Sequence, residues 1–237
     1  MKQMQSLGFG DTIDERIFFA GPPSSRDPVK HEQVAARRIA GGLLRASTAL
    51  DAQAVLRCER IATWARRLGR ELGLESHQLL DIELGALLHD IGHGLPETQV
   101  DTSVERVFRV GLDADTSEIV SFYRHPERSA QILQGIAELR RAAPVVRAHH
   151  ERFDGAGFPY GLRGDEVPIE ARVFHVAEAY EAATSGRPPR RRMNDSEARE
   201  EIARGSGSRF DPAVVAAFSK IPSDEWCAVV AMAALSR

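Results

Sequence analysis

Leu87-Leu88-His89-Asp90-Ile91-Gly92 closes a run in which Leu79, Leu80, Ile82, Leu84, Leu87 and Leu88 recur at helical spacing. Ser76 stands where a cap for that helix is needed, so an imidazole and a carboxylate fall side by side at its far end. A single histidine on a helix is more often a surface or core residue than a ligand. Adjacent imidazole and carboxylate groups at the end of a leucine-rich helix are a more specific signal, because iron, manganese and zinc take these donor types.

Upstream, Val55, Cys58, Ile61, Ala62, Ala65 and Leu68 share one helical face that ends near Gly73. Helical patterning also runs from about Val29 to Leu50, with a break expected at Gly41-Gly42. Residues 1–30, rich in glycine and carrying Pro22-Pro23, read as irregular. Downstream, the pattern predicts a weak helix over Val104–Val110 and another from about Thr116. A further helix is expected to open at His125-Pro126, and one starting at Pro144 to end in His149-His150. Asp154 to Gly161 reads as a turn-rich loop, Ile169 to Ala183 as a helix. Asn194 or Ser196 caps the next, and Asp211-Pro212 starts the last clear one. Strand alternation is almost absent. The fold class is therefore all-α, a helical bundle over 51–237 behind an extension over 1–50 that is irregular and then helical.

The chain has 237 residues, enough for one large core, and its formal net charge of −3 offers no electrostatic case for a nucleic-acid polymer. Arg190-Arg191-Arg192 reads as a solvated loop rather than a phosphate patch. Two cysteines, Cys58 and Cys227, imply no disulfide framework and a reducing, cytoplasmic setting. The N-terminus lacks the apolar core of a secretory signal, and Trp226 to Leu235 is too short to span a bilayer, so no membrane insertion is expected.

The His89-Asp90 hexapeptide resembles the signature of the HD superfamily of metal-dependent phosphohydrolases. His149-His150-Glu151-Arg152-Phe153-Asp154-Gly155-Ala156-Gly157-Phe158-Pro159 is similar to the motif that defines its HD-GYP branch. Ile169 to Ala182, Arg187-Pro188 and Gly207 to Pro212 resemble later motifs of that branch in the same order. The resemblance covers about residues 50 to 220. It implies an HD-type bundle and a phosphodiesterase that hydrolyses cyclic di-GMP or a related cyclic dinucleotide. Carried over, the metal ligands are His89, Asp90, His125, His149, His150 and Glu178, with Asp90 bridging and the ions iron or manganese. Asp90 and His93 take catalytic roles, and His93, Arg187 and Arg190 face the substrate. Asp154, Gly155, Gly157, Phe158 and Pro159 form the motif loop, through which the family is thought to contact diguanylate cyclases of the GGDEF type.

This chain departs from the family at defined positions. Arg57 stands where the pattern has a histidine ligand, and a guanidinium repels a cation. Position 178 is Glu instead of Asp, position 93 His instead of Lys, and position 158 Phe instead of Tyr. The expected site holds one ion through His125, His149, His150 and Asp90, with a second ion weak or absent. Two other readings remain open: a module that binds a nucleotide or signalling partner without turnover, and an HD-type iron enzyme with another substrate. His175 is expected to be structural, His31 and His77 solvent-facing. Asp154 either orients a ligand histidine or caps a turn.

Overall fold

The computed structural model describes residues 28–47, 51–93, 117–186 and 191–226. Eight α-helices follow one another among them: α1 (Pro28–Ser47), α2 (Ala52–Glu71), α3 (Ser76–Leu88), α4 (Ser117–Gln134), α5 (Ala143–Arg147), α6 (Ile169–Ser185), α7 (Asp195–Arg204) and α8 (Pro212–Lys220). The only strand-like pairing among the described residues is an isolated bridge between Ser206 and Phe210. No described helix is long and apolar enough to cross a membrane. Residues 1–27, the Val104–Val110 segment, Arg187, Arg190 and Cys227 lie outside the described residues.

Helix α3 is the centre of the bundle, packed by α1, α2, α5 and α6. It is buried on every side from Asp81 to Leu88, as a helix without a polar face must be. The two acidic residues in that stretch need partners, because an unpaired buried charge is costly. Glu83 receives the Arg37 guanidinium of α1 through two bonds, at 2.8 and 2.9 Å, with Arg66 of α2 at 3.4 Å. Arg141 reaches Asp81 at 3.2 Å. Trp64 of α2, Tyr180 of α6, Phe218 of α8 and Trp226 form an aromatic nest, and the Trp64 indole donates to the Trp226 carbonyl at 3.2 Å.

Several boundaries differ from expectation for local reasons. Helix α1 runs through Gly41-Gly42 without a break. Glycine costs a helix only about 1 kcal/mol, and burial of Ala36, Ala40 and Leu44 in the core outweighs that. Ser76 is the first helical residue rather than the cap; Glu75 takes the cap position, its N–H donating to the Gln78 side chain at 3.1 Å. His125-Pro126 lies inside α4 instead of opening a helix. Pro126 lacks the N–H that would bond the Phe122 carbonyl, and the His125 ring takes that carbonyl instead. Helix α5 ends at Arg147, so His149-His150 sits in the turn beyond it.

The turn after α3 is locked onto α4. The Gly92 N–H donates to Ser129 Oγ at 2.9 Å, and that hydroxyl donates to the His89 carbonyl at 2.8 Å. A Cβ on Gly92 would stand 2.8 Å from both the His125 carbonyl oxygen and the Ser129 amide nitrogen. Backbone on both sides leaves nothing to yield. Gly92→Ala is therefore expected to cost about 1–3 kcal/mol by overpacking, read as a lowered denaturation midpoint in urea. An unchanged midpoint would show that α4 is not tied to this turn.

Candidate metal centre

Three histidines use the same device to aim their rings. His89 Nδ1 bonds the Ala86 carbonyl at 2.9 Å, His125 Nδ1 that of Phe122 at 2.5 Å, and His149 Nδ1 that of Val146 at 2.5 Å. A carbonyl only accepts, so each Nδ1 carries a proton, and on His125 and His149 this leaves Nε2 with its lone pair. His125 Nε2 and His149 Nε2 then face each other at 3.0 Å, both rings buried.

No proton sits between them by preference. Burial, followed by the charge that His149 would carry, pushes His125 down from 6.5 to about 3. Burial likewise holds His149 well below the ordinary imidazole range, and burial then the neighbouring His125 push His150 to about 3. Two lone pairs at 3.0 Å repel, and a cation between them turns the contact into attraction. His150 joins the cluster, with donor atoms of His125, His149 and His150 all within 4.8 Å of one another. The residues present fit a transition-metal ion.

Asp90 divides two sides of the site. Its Oδ1 lies 3.5 Å from His125 Nε2 and 3.6 Å from His93 Nε2; its Oδ2 lies 3.2 Å from His89 Nε2 and 3.6 Å from the Arg57 guanidinium. Burial opposes the Asp90 charge, but His89's charge and hydrogen bond hold the carboxyl well below the usual carboxylate range. Burial also opposes protonation of His89, yet Asp90 raises its pKa, with Glu178 adding to the effect. Asp90, His93 and His125 form a second group with donors within 4.8 Å. His89 and Glu178 stand outside both groups. Arg57 and Arg60 both line a cavity of about 360 Å³ with Trp64, Glu181, Thr184 and Arg192. Cys58, beside Arg57 in sequence, is buried and its thiol pushed up to about 12, chiefly by desolvation, so it offers no thiolate.

The motif loop is held by a residue whose part the sequence did not disclose. Buried Glu151 accepts the Tyr160 N–H at 2.7 Å and the Leu162 N–H at 3.1 Å. Burial raises its pKa, against the pull of those backbone donors. Phe158 stacks on His150 with centroids 4.6 Å apart, and Phe122, exposed, stands 5.5 Å from the same ring. Asp154 caps a turn: it takes the Ala156 N–H at 3.0 Å and pairs with Arg152, whose hydrogen bond lowers it to about 2. Gly157 lies so close to the Glu151 and Arg152 backbone that no side chain fits there. His175 is buried and accepts from Arg209 Nε at 3.1 Å. Burial, then the Arg209 charge, lowers it to about 3. His31 and His77 are exposed.

These depressed histidines set an acid limit for the metal-free protein. His125, His150 and His175 have folded pKa values of about 3 against 6.5 unfolded. Between those values the unfolded chain binds more protons, so stability is full above about pH 6.5 and falls as pH drops toward 3. The loss approaches roughly 1.4 kcal/mol per pH unit for each fully buried imidazole. Urea midpoints of the metal-free protein measured from pH 7 to pH 5 are expected to fall steeply, and a flat profile would contradict the buried neutral rings.

The cyclic di-GMP phosphodiesterase of Thermotoga maritima is 32% identical over 170 residues, covering 70% of this chain and 44% of that protein. The 3'3'-cGAMP-specific phosphodiesterase 3 of Vibrio cholerae is 28% identical over 163 residues, 68% of this chain and 34% of that one. The chain thus spans less than half the length of these curated relatives. Among solved structures, a cyclic GMP-AMP specific phosphodiesterase of V. cholerae superposes with a TM-score of 0.58 at 19% identity, over 81% of this chain and 53% of that one. That likeness establishes the fold. Residues 42–214, containing both halves of the histidine cluster, match the HD domain family throughout, and the chain belongs to it.

Proposed function

We propose that the chain is a metal-dependent phosphodiesterase domain that hydrolyses a cyclic dinucleotide, with cyclic di-GMP as first candidate substrate and 3'3'-cGAMP as second. The observation that carries this reading is the pair of facing Nε2 lone pairs on His125 and His149, flanked by His150 and by Asp90 Oδ1. His125, His149, His150 and Asp90 hold the ion, which their imidazole-rich set suits to iron or manganese. Bound there, such an ion polarises a phosphoryl oxygen and acidifies a water molecule. His89, Asp90 Oδ2 and Glu178 would complete a second ion position, where Arg57 places a permanent positive charge instead.

The chain's own groups have definable tasks. The carbonyls of Phe122 and Val146 fix the tautomer and aim of the ligand rings, so no reorganisation is needed when an anion arrives. The Arg57 guanidinium, 3.6 Å from Asp90, is placed to take a phosphate oxygen as well. Glu151 fixes the loop that presses Phe158 onto His150. Arg187 and Arg190 are proposed substrate contacts in a cytoplasmic protein.

The test is direct. Full-length chain purified under anoxic conditions, loaded with Fe(II) or Mn(II), is incubated with cyclic di-GMP and 3'3'-cGAMP, and products are resolved by ion-pair chromatography. Linear dinucleotide or mononucleotide from either is the expected result. Intact substrate under both metals, with the ion demonstrably bound, would sink the phosphodiesterase reading.

A further inference from the structure

We propose that the side chain of Phe122 is a stacking platform for a nucleobase, so that this centre selects nucleotides among phosphate esters by their base. The proposal deepens the reading above and rests on its metal centre, though not on hydrolysis. Phe122 and Tyr160 are the large hydrophobic side chains left exposed among the described residues, at 44% and 50%. Tyr160 has a polar reason to face water, since its hydroxyl donates to Glu127 at 2.6 Å. Phe122 has none. A lone exposed phenylalanine is ordinary on a protein surface. What sets this one apart is its place: its ring centroid lies 5.5 Å from that of His150, 5.7 Å from His125 and 6.5 Å from His93.

The ring is held in place while its flat face goes unused. Phe158 and Tyr123 flank it at 5.4 and 5.5 Å, and the Phe122 carbonyl is bonded to His125 Nδ1, which fixes the backbone against the histidine cluster. Its planes with His93, His125, His150, Phe158 and Tyr123 meet at angles from 35° to 82°, so none of these rings lies parallel upon it. The neighbours stack on one another instead: His93 on His125 at 3.9 Å and 23°, Phe158 on His150 at 4.6 Å and 29°. Phe122 is left over from both pairs. A phosphate ester seated at the histidine cluster carries its organic group one sugar away, at the distance of this ring. Every nucleobase has a flat π face to lay on a phenyl ring, and a purine has the largest. A phenylalanine side chain turns about two bonds only, so little freedom is lost when the base arrives.

The experiment measures binding, not turnover. Full-length protein loaded with Mn(II) is titrated calorimetrically with GMP and with ribose 5-phosphate, which shares the sugar and phosphate but lacks the base. Phe122→Ala, Phe122→Leu and Phe122→Trp are titrated alongside. Wild type is expected to bind GMP about tenfold or more tightly than ribose 5-phosphate. Alanine and leucine should erase most of that margin, and tryptophan should keep it. Bound Mn(II) per chain is expected to be the same in all four proteins, because the carbonyl that orients His125 belongs to the backbone and survives the substitutions. Failure of wild type to prefer GMP would overturn the proposal, as would a preference retained in Phe122→Ala or Phe122→Leu. Equal losses for both ligands would overturn it too, by making the ring a shield over the metal. A preference that depends on Phe122, in a protein that leaves cyclic dinucleotides intact, would uphold the platform and refute only the phosphodiesterase reading.

Discussion

His149→Ala is expected to abolish retention of the metal and to lower cyclic dinucleotide hydrolysis by about 10³-fold or more, equivalent to about 4 kcal/mol of transition-state stabilisation. His149 is the most committed donor in the centre. It is buried, its Nδ1 proton is spent on Val146, and its Nε2 stands 3.0 Å from that of His125. Alanine leaves His125 and His150 without the third imidazole that makes their cluster a site. The variant also removes a repulsive lone-pair contact, so the metal-free protein is not expected to lose stability in proportion. Elemental analysis of protein passed through a desalting column gives the metal content. The exposed His77, changed to alanine, supplies the control that should alter neither quantity. Metal content equal to wild type in His149→Ala would require a different centre.

Arg57→His is the second large effect, in the opposite direction. The guanidinium sits 3.6 Å from Asp90 Oδ2, beside His89 and within the influence of Glu178 on that ring. Substitution removes a like charge and supplies an imidazole on the face of Asp90 that lacks one. Bound metal should rise from about one to about two ions per chain, with hydrolysis rising alongside it. Arg57→Met separates the two causes, because it removes the charge without adding a donor. If repulsion alone excludes the second ion, both variants gain it; if the missing donor matters, only histidine does. A count that stays at one ion in both would mean that Glu178 and His89 do not form a second position at all.

The helical architecture was legible because a bundle writes its burial into periodicity: Ile61, Ala65 and Leu68, or Leu84, Leu87 and Leu88, declare their faces directly. Helix ends were less legible. Gly41-Gly42 and Pro126 are locally unfavourable, and tertiary burial in one case and a substitute hydrogen bond in the other keep the helices whole. The histidine positions could be read from motifs, but their rotation could not, since it depends on carbonyls three residues back. Nor does any local pattern disclose that Glu151 braces a loop nine residues on, or that Ser129 joins α4 to the turn after α3. Those are contacts between segments, and composition carries no trace of them.

The ion pair between Arg37 and Glu83 bears on how the molecule can be cut. Similarity to the family begins at residue 42, within α1, whereas the partner of a carboxylate at the heart of the bundle lies five residues earlier. A fragment starting at the similarity boundary would keep every motif yet leave Glu83 with Arg66 alone at 3.4 Å, stripped of the bidentate half of its neutralisation. Breaking one side of such a pair costs on the order of 3–5 kcal/mol, comparable to the whole stability of many domains. The smallest autonomous unit is thus set by charge compensation instead of by sequence likeness, and it has to include Arg37 of α1.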